Sequence, residues 1–320
     1  MLFSIIVPVY NRPNEIRELL NSLLNQSYKS FEVIIIEDGS AITCRDVVAE
    51  FETFLSIHYI FQDNTGQGFA RNRGMELAKG DFFIMFDSDC VIPPLYLELV
   101  YKQLEERKLD AYGGPDQADK DFSPSQKAMN YSMTSLFTTG GIRGKMKDPS
   151  KYQARGFNMG ISRDAYKATG GFIDPNKAED IELSIRLKKM GFKLELIKEA
   201  FVFHKRRNTF ASFFRQSFSF GRNRVHVSRF HPDAIKAVHL LPLAFVVGVL
   251  SIPLIYFFLP ILSYIAIFLL LLWSLAVIIG SAIENKSIYV GLFSLPVAIG
   301  QLFSYGLGLA SEGVKKLIYR

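Results

Sequence analysis

The sequence predicts an α/β domain, with a mostly parallel sheet and helices on both faces, followed by C-terminal transmembrane helices. In the first two thirds of the 320-residue chain, short runs of β-branched residues alternate with helical patterns, which is typical of β-α-β units. Charge separates the two parts, because all but four of the 37 basic and all but two of the 31 acidic residues precede residue 237. We therefore predict a polar domain over residues 1–230 and a membrane region over residues 231–320.

Each element of the predicted sheet follows from a local pattern. SIIVPVY and FEVIIIEDGS, at residues 4–10 and 31–40, are β-branched runs that end in turn residues. The stretch between them predicts a helix, since Pro13 suits the first helical position and leucines recur at helical spacing. The unit then repeats, with helices predicted over residues 45–54 and 67–78 and strands over residues 57–61 and 81–86.

Three aspartates follow strands of this predicted sheet. Asp38 follows the second strand, and Asp87 and Asp89 follow the fourth in FFIMFDSDC. Ligands of such sheets bind beyond the carboxyl ends of the strands, so the three carboxylates would share one edge. Any one of them is equally explained as a strand-ending turn residue. Their common position favours a ligand site.

The later part of the domain is less regular. Residues 113–155 lack clear periodicity, which predicts a loop that could contact a second substrate. The acid pair Glu179 and Asp180 stands at the start of an amphipathic helical pattern. Acids are favoured at a helix start by the helix dipole, whether or not they take part in chemistry.

The apolar C-terminal run predicts two antiparallel membrane spans. Residues 237–283 are about twice as long as the roughly 20 residues that one helical crossing needs. We place the spans over residues 239–259 and 262–283. A third apolar segment, residues 288–310, is richer in Gly, Ser, Gln and Tyr, and its pattern leaves open a span, a re-entrant segment or an interfacial helix.

Basic residues directly precede the first predicted span. Between residues 205 and 236, eight Lys and Arg stand against the single acid Asp233. The positive-inside rule then places the N-terminal domain in the cytoplasm, at the cytoplasmic membrane. The basic C-terminal tail favours the same side, and hence two crossings. Anionic lipid is the expected partner of these residues. Nucleic acid is not expected, because no recognised nucleic-acid-binding module is present.

Several motifs together resemble glycosyltransferase family 2 over residues 3 to about 230. They occur in the order IIVPVYNRPNEIRELLNSLLNQSY, FEVIIIEDGS, NTGQGFARNRGMELAKGDFFIMFDSD, GGF and AEDIELSIRLKKMG. The resemblance implies a GT-A-type nucleotide-diphospho-sugar transferase fold, a divalent metal, and sugar transfer with inversion at the anomeric carbon.

Within that resemblance, Asp89 is the first candidate metal ligand. Asp87 would reach the metal through water or the donor ribose, and His204 would be a third ligand. An imidazole ligand would favour Mn²⁺ over Mg²⁺, although a lone histidine is equally well structural. The other residues implied in donor binding are Pro8, Tyr10, Glu37, Asp38, Arg71, Arg215 and Arg222.

The roles of these arginines stay open at this level. Arg71 suits a phosphate or a carboxylate, but it could also be a solvated helix residue. Arg215 and Arg222 lie in RQSFSFGR, which only loosely matches the Q-x-x-R-W motif of processive synthases, and they could face lipid instead. Asp180 matches the general base of the family, and Glu179 would position it or contact the acceptor.

The leading hypothesis is a membrane-anchored, metal-dependent inverting glycosyltransferase of the hexosyltransferase type. It would move a sugar from a nucleotide-diphosphate sugar to a hydroxyl of a lipid-linked glycan or other lipid acceptor, for cell-surface polysaccharide or glycolipid synthesis. One alternative is transfer to polyprenyl phosphate, which needs less base assistance. A non-enzymatic alternative is a membrane-anchored sugar-nucleotide-binding adaptor, but a module without chemistry has no need of all four of Asp38, Asp87, Asp89 and Asp180. A sugar-phosphate nucleotidyltransferase is disfavoured, because VPVYNRPNE replaces its Gly-rich loop.

Overall fold

The computed structural model of the protein describes residues 1–117, 122–140, 148–204 and 209–318. The chain divides into two compact units. The first comprises Met1–Asp119 and Met146–Lys205, and the second comprises Lys120–Lys145 and Arg206–Arg320. The predicted boundary near residue 230 separates a cytoplasmic domain from a membrane region, and it stays a prediction.

Strands and helices alternate in the first unit, as the sequence pattern predicts. The strands are β1 (Phe3–Val9), β2 (Phe31–Asp38), β3 (Ile57–Gln62), β4 (Phe82–Phe86), β5 (Cys90–Val91), β6 (Ala111–Gly113), β7 (Asp116–Gln117), β8 (Asn158–Ser162), β9 (Leu194–Leu196) and β10 (Val202–His204). The α-helices among the described residues of both units are α1 (Pro13–Leu24), α2 (Arg45–Ala49), α3 (Gln67–Leu77), α4 (Tyr96–Arg107), α5 (Pro124–Thr134), α6 (Leu136–Thr139), α7 (Arg163–Thr169), α8 (Glu179–Lys189), α9 (Phe210–Val227), α10 (Ala237–Phe258), α11 (Pro260–Asn285) and α12 (Ile288–Ile318).

A seven-stranded sheet forms the centre of the first unit, in the order β3-β2-β1-β4-β8-β6-β9. β1 to β4 pair in parallel, whereas β8 is antiparallel to both of its neighbours. The sheet is therefore mixed but mostly parallel, which confirms the predicted fold class. A second sheet of three short strands has the order β5-β10-β7.

Both faces of the large sheet are buried under helices. Successive residues of a strand point to opposite faces, and Ile5 and Val7 accordingly belong to one hydrophobic core whereas Ile6 belongs to the other. Every residue of β1, β2 and β4 is buried, as expected for parallel strands covered on both sides. The carboxyl ends of these strands are therefore the edge at which polar side chains can gather.

The second unit contains three helices that are long and apolar enough to cross a membrane: α10, α11 and α12. The predicted reversal at Leu259 and Pro260 coincides with the end of α10 and the start of α11. α12 continues to Ile318, eight residues beyond the predicted apolar segment. Helix α9 packs closely along α12, because Gly221 of α9 lies against the Tyr305 carbonyl and Gly308 of α12 lies against the Phe218 carbonyl.

Candidate functional site

A tight turn at the end of β4 carries Asp87 and Asp89. β4 ends at Phe86, and the Cys90 N–H donates to the Asp87 carbonyl at 3.1 Å. β5 then begins at Cys90 and pairs antiparallel with β10, with Cys90 opposite His204. Residues opposite each other in an antiparallel pair lie about 5 Å apart. The register of the small sheet thus brings His204 next to Asp89, across more than 100 residues of chain.

The geometry of Asp89 and His204 fits a divalent cation. His204 Nε2 lies 3.1 Å from Asp89 Oδ1 and 3.8 Å from Asp87 Oδ2. Two neighbouring ligands of an octahedral ion, each about 2.1 Å from it, lie roughly 3 Å apart. Asp89 Oδ1 is buried and accepts no hydrogen bond from the described residues, although His204 Nε2 lies close to it. An ion would satisfy this orphaned oxygen.

Cys90 lies near these ligands but suits the metal poorly. Its sulfur lies within 4.8 Å of the ligand atoms of Asp89 and His204. The thiol donates to the Phe157 carbonyl at 3.6 Å, and burial, together with the nearby acids, raises the pKa of Cys90 well above its ordinary value. A thiolate is a soft ligand that suits Mn²⁺ or Mg²⁺ poorly, so Cys90 is the least suited of the three residues. The residues that fit a metal are therefore Asp89 and His204, with Asp87 beside them.

The imidazole of His204 is held by stacking on Phe157. The two ring centroids are 4.7 Å apart, with an interplanar angle of 22°. Phe157 directly precedes β8 and is itself buried, so it fixes the ring plane of His204. Phe157 is a site residue that the sequence did not predict. Its only signal was an aromatic residue next to the Gly of the GFNMG segment.

Arg12 forms an ion pair with Asp89 that the sequence analysis did not predict. Its Nη1 pairs with Asp89 Oδ2. Burial opposes ionisation of Asp89, but the neighbouring His204 and Arg12 outweigh it and hold the pKa of Asp89 below the ordinary range. A signal was present, because Arg12 follows β1 and so stands at the same sheet edge as Asp38 and Asp87.

Arg71 joins two parts of the site. It is 2% exposed and projects from α3, with Nη2 paired to Asp87 and Nη1 3.1 Å from Glu179 Oε1. A solvated helix arginine, one reading that the sequence left open, is therefore wrong. Arg71 braces carboxylates, and its contact with a donor phosphate stays a prediction.

Glu179 and Asp180 begin α8, as the sequence predicts. Asp180 is half-buried, and its carboxylate accepts from the Gly156 N–H at 3.1 Å and the Ile181 N–H at 2.7 Å. Ala178, just before the pair, has a left-handed backbone with φ of 59°, which is costly for a residue with a side chain. Burial, followed by the charge of Asp180, raises the pKa of Glu179.

The turn that leads into α8 is held by the loop before α3. Asn176 Oδ1 accepts from the Gly68 N–H at 2.8 Å, and Asn176 Nδ2 donates to the Thr65 carbonyl at 2.9 Å. These two bonds offset the cost of the left-handed residue, because they fix the turn from outside. The acid pair is thus presented from a braced turn.

Asp38 and Glu37 both bind loops at this edge. The Asp38 carboxylate accepts from Gln62, from the N–H and hydroxyl of Thr65 and from the Gly66 N–H. Three of these donors share Oδ1, whereas Oδ2 accepts from the Gly66 N–H alone. Glu37 is buried and accepts from the Cys44 N–H at 2.7 Å and the Tyr59 hydroxyl at 3.2 Å. Both acids shape the edge, and their direct contact with a nucleotide stays a prediction.

The remaining predicted donor residues differ in exposure. Pro8 is buried in β1, whereas Tyr10, just beyond the strand, is 52% exposed. In the second unit Arg215 is exposed, and Arg222 Nε lies 3.3 Å from Glu312 Oε2 on α12. Arg222 thus has a structural partner within its own unit. A donor role for Arg215 and Arg222 stays a prediction.

The mixed, mostly parallel sheet and the acid-rich edge define a GT-A-type transferase. The chain belongs to glycosyl transferase family 2, whose family model matches residues 4–170. The glycosyltransferase AglE of Haloferax volcanii is 24% identical over 257 residues, which cover 78% of this chain and 82% of AglE. The glycosyltransferase GlyA of Streptococcus pneumoniae is 38% identical over 108 residues. That match covers 33% of this chain and only 16% of GlyA, and a match to the putative glycosyltransferase EpsH of Bacillus subtilis covers 28% of EpsH.

Solved structures share the fold. The mannosyltransferase PcManGT from Pyrobaculum calidifontis, determined with GDP-Man and Mn²⁺, aligns with a TM-score of 0.68 and 18% identity over 98% of this chain and 86% of PcManGT. Residues 1–349 of TarS from S. aureus align with a TM-score of 0.52 and 20% identity over 71% of this chain and 66% of that one. At these identities the likeness establishes the fold.

Proposed function

We propose that the protein is a membrane-anchored inverting glycosyltransferase that moves a sugar from a nucleotide-diphosphate sugar to a hydroxyl of a lipid-linked glycan or other lipid acceptor. The observation that carries this proposal is the joining of two acid clusters at one sheet edge. Asp87 and Glu179 meet on the same buried guanidinium, that of Arg71. One cluster fits a divalent cation, and the other presents a carboxylate that can accept a proton.

The donor side is built to hold a departing diphosphate. When bound, a divalent cation of the Mn²⁺ or Mg²⁺ type would neutralise the negative charge that develops on the leaving group. Asp89 and His204 would hold it, and the imidazole favours Mn²⁺. PcManGT, which has the same fold, was determined with GDP-Man and Mn²⁺, and this supports the proposed metal. Tyr10 offers an exposed ring beyond β1 on which a base can stack.

The acceptor side supplies the base. Asp180 accepts the proton of the acceptor hydroxyl while that oxygen bonds to the anomeric carbon. The bond from this carbon to the donor phosphate oxygen breaks on the opposite face, and its electron pair leaves with the nucleoside diphosphate. The Gly156 and Ile181 N–H groups orient the carboxylate. Arg71 pairs with Glu179, which leaves the Asp180 carboxylate as the base that is available to the acceptor hydroxyl.

We further propose that α10 and α11 cross the membrane and that α12 lies across their cytoplasmic ends. α12 meets the early part of α10 at Pro242 and Val246, through Gly306, and the late part of α11 at Ile278, through Gly291. These contacts lie at one end of the hairpin that α10 and α11 form. In the most apolar stretch of α12, 39% of residues are buried, against 6% for α10 and 11% for α11. The greater burial of α12 and its contacts at one end of the hairpin favour the two crossings that the charge pattern predicts.

The experiment that tests this function uses full-length protein in detergent with a panel of UDP-, GDP- and dTDP-sugars, Mn²⁺ or Mg²⁺, and a membrane lipid extract. We expect one donor to release its nucleoside diphosphate and to label lipid, only with metal. Asp89→Ala should abolish both signals, and Asp180→Ala should abolish transfer. Donor binding without turnover by folded wild-type protein would overturn the proposal and favour the adaptor.

A further inference from the structure

We propose that Arg12 is a placeholder for the metal: it neutralises Asp89 in the resting enzyme and transfers to the donor diphosphate when a divalent cation and the nucleotide bind together. This inference rests on the proposed function. It assigns a role to a residue outside the predicted site. It also predicts that the metal and the nucleotide bind cooperatively.

Arg12 pairs with the carboxylate that the metal needs. Its Nη1 pairs with Asp89 Oδ2, while Asp89 Oδ1 faces His204. The side chain of Asp89 is largely buried, and an unpaired buried carboxylate is costly. In the resting site Arg12 is therefore the partner of Asp89 that always carries a positive charge, because His204 is charged only when it is protonated.

The side chain of Arg12 is free to move, whereas that of Arg71 is held in place. Arg71 is 2% exposed and is held between Asp87 and Glu179. The side chain of Arg12 is 34% exposed and pairs with Asp89. A guanidinium with such exposure can exchange one anionic partner for another.

The backbone next to Arg12 is fixed at the sheet edge where the donor is proposed to bind. The Asn11 N–H donates to Ser40 Oγ at 2.7 Å, and the Ile42 N–H donates to Asn11 Oδ1 at 3.0 Å. Asn11 has a left-handed backbone with φ of 53°, which asparagine tolerates, and α1 starts at Pro13. Only the side chain of Arg12 therefore needs to rearrange, and its planar fork matches a phosphate.

Electrostatics then couples the two ligands. A divalent ion at Asp89 and His204 places like charge beside the Arg12 guanidinium and opposes its binding there. A nucleoside diphosphate supplies new anionic partners for Arg12 and for the ion. The metal alone should bind weakly, and nucleotide should strengthen its binding.

The test is equilibrium dialysis of Mn²⁺ against full-length protein in detergent, with no nucleotide, with UDP or with GDP, where the protein-free chamber contains the same nucleotide. In wild type we expect UDP or GDP to tighten Mn²⁺ binding by about tenfold or more. Without nucleotide, Arg12→Ala should bind Mn²⁺ several-fold more tightly than wild type. Its enhancement by nucleotide should be clearly smaller than that of wild type, because only the direct contact of the diphosphate with the ion remains. Arg12→Lys should lie between them. Arg17→Ala, which removes an exposed arginine of α1 that pairs with Glu50, is the matched control and should behave as wild type.

Two results would overturn the inference and separate it from the proposed function. If wild type and Arg12→Ala bind Mn²⁺ equally, with the same enhancement by nucleotide, the metal site stands but Arg12 is not a placeholder. If wild type binds no Mn²⁺ with any nucleotide, both proposals fail at the metal.

Discussion

Arg71 Nη1 lies 3.1 Å from Glu179 Oε1, and the other arm of the same guanidinium pairs with Asp87. The contact joins α3 to the start of α8 and, through Asp87, to the turn after β4. Arg71 is thus the charge that allows buried Glu179 and half-buried Asp87 to share one site. Gly156 packs directly against this guanidinium and also donates its N–H to Asp180, so the position of the proposed base depends on Arg71.

Removal of Arg71 should destabilise the first unit strongly. Arg71→Ala leaves the buried carboxylate of Glu179 and the half-buried carboxylate of Asp87 without their cation, and breaking a buried pair in this way costs about 3–5 kcal/mol. For a unit of this size the apparent Tm should fall by on the order of 10 °C. Cys44 and Cys90 are both buried in this unit and are the two cysteines of the chain. A thiol-reactive dye therefore reports its unfolding on heating.

The control for this prediction is Arg73→Ala on the same helix. Arg73 is exposed and pairs with Glu76 one turn along, so its loss should change the apparent Tm by no more than a degree or two. Arg71→Lys should recover only part of the loss, because an ammonium cannot contact both carboxylates as a fork does. Equal melting of the Arg71→Ala and Arg73→Ala variants would show that the buried pairs contribute no stability.

Asp180→Asn should lower kcat by about 10² to 10⁴-fold, because an amide cannot accept the hydroxyl proton. The KM for the donor should stay within a few-fold of wild type, since Asp180 is assigned to the acceptor. Steady-state release of nucleoside diphosphate, with the acceptor saturating, measures both constants. Asp164→Asn, an exposed acid in the first turn of α7, should have no effect. A fall in kcat of less than tenfold would contradict the base role and favour a phosphate acceptor.

The close packing of α9 on α12 should depend on Gly308. A side chain at Gly308 would meet the Phe218 carbonyl of α9, and such overpacking costs about 1–3 kcal/mol. Gly308→Leu should therefore lower the melting temperature of the second unit by several degrees. Trp273 is the one tryptophan of the chain and lies in this unit, so its fluorescence on heating measures the change.

Gly248→Leu is the matched control for that experiment. Gly248 lies in α10, where an added Cβ meets no described atom within 4 Å, and leucine suits a lipid-facing position. Its melting should equal or exceed that of wild type. If Gly308→Leu also melts as wild type does, the two helices do not depend on this contact.

Local patterns in the sequence were sufficient to predict most of the fold. β1 to β4, α1 and α3 follow from strand and helix periodicity, and the glycosyltransferase motifs predicted the GT-A-type fold that the comparisons confirm. The stretch 113–155 was predicted as loop, but α5 forms within it. Its signal was the capping box Ser123 to Gln126, which is too short to stand out without the packing of the helix. Residues 118–121 and 141–147 of that predicted loop lie outside the described part of the chain.

The site was predictable where it depends on strand ends and not where it depends on long-range register. Asp87 and Asp89 follow from the end of β4, and Glu179 and Asp180 from the start of α8. The stacking of Phe157 on His204 and the pairing of Arg12 with Asp89 require that distant segments meet. The position of Arg12 after β1 places it at the correct sheet edge. Which residues then meet there cannot be predicted locally, because the contacts depend on the pairing of two very short strands and on the exit angle of β1.

The most direct test of the central claim is pulsed electron paramagnetic resonance of Mn²⁺ bound to the full-length protein together with UDP or GDP. If Asp89 and His204 hold an ion that meets the donor diphosphate, the spectrum should show ¹⁴N coupling from one imidazole and ³¹P coupling from the nucleotide. His204→Ala should remove the ¹⁴N coupling, whereas His58→Ala, at an exposed histidine of β3, should keep it. Mn²⁺ that couples to ³¹P without ¹⁴N in wild type, or that keeps its ¹⁴N coupling in His204→Ala, would contradict the proposed metal site.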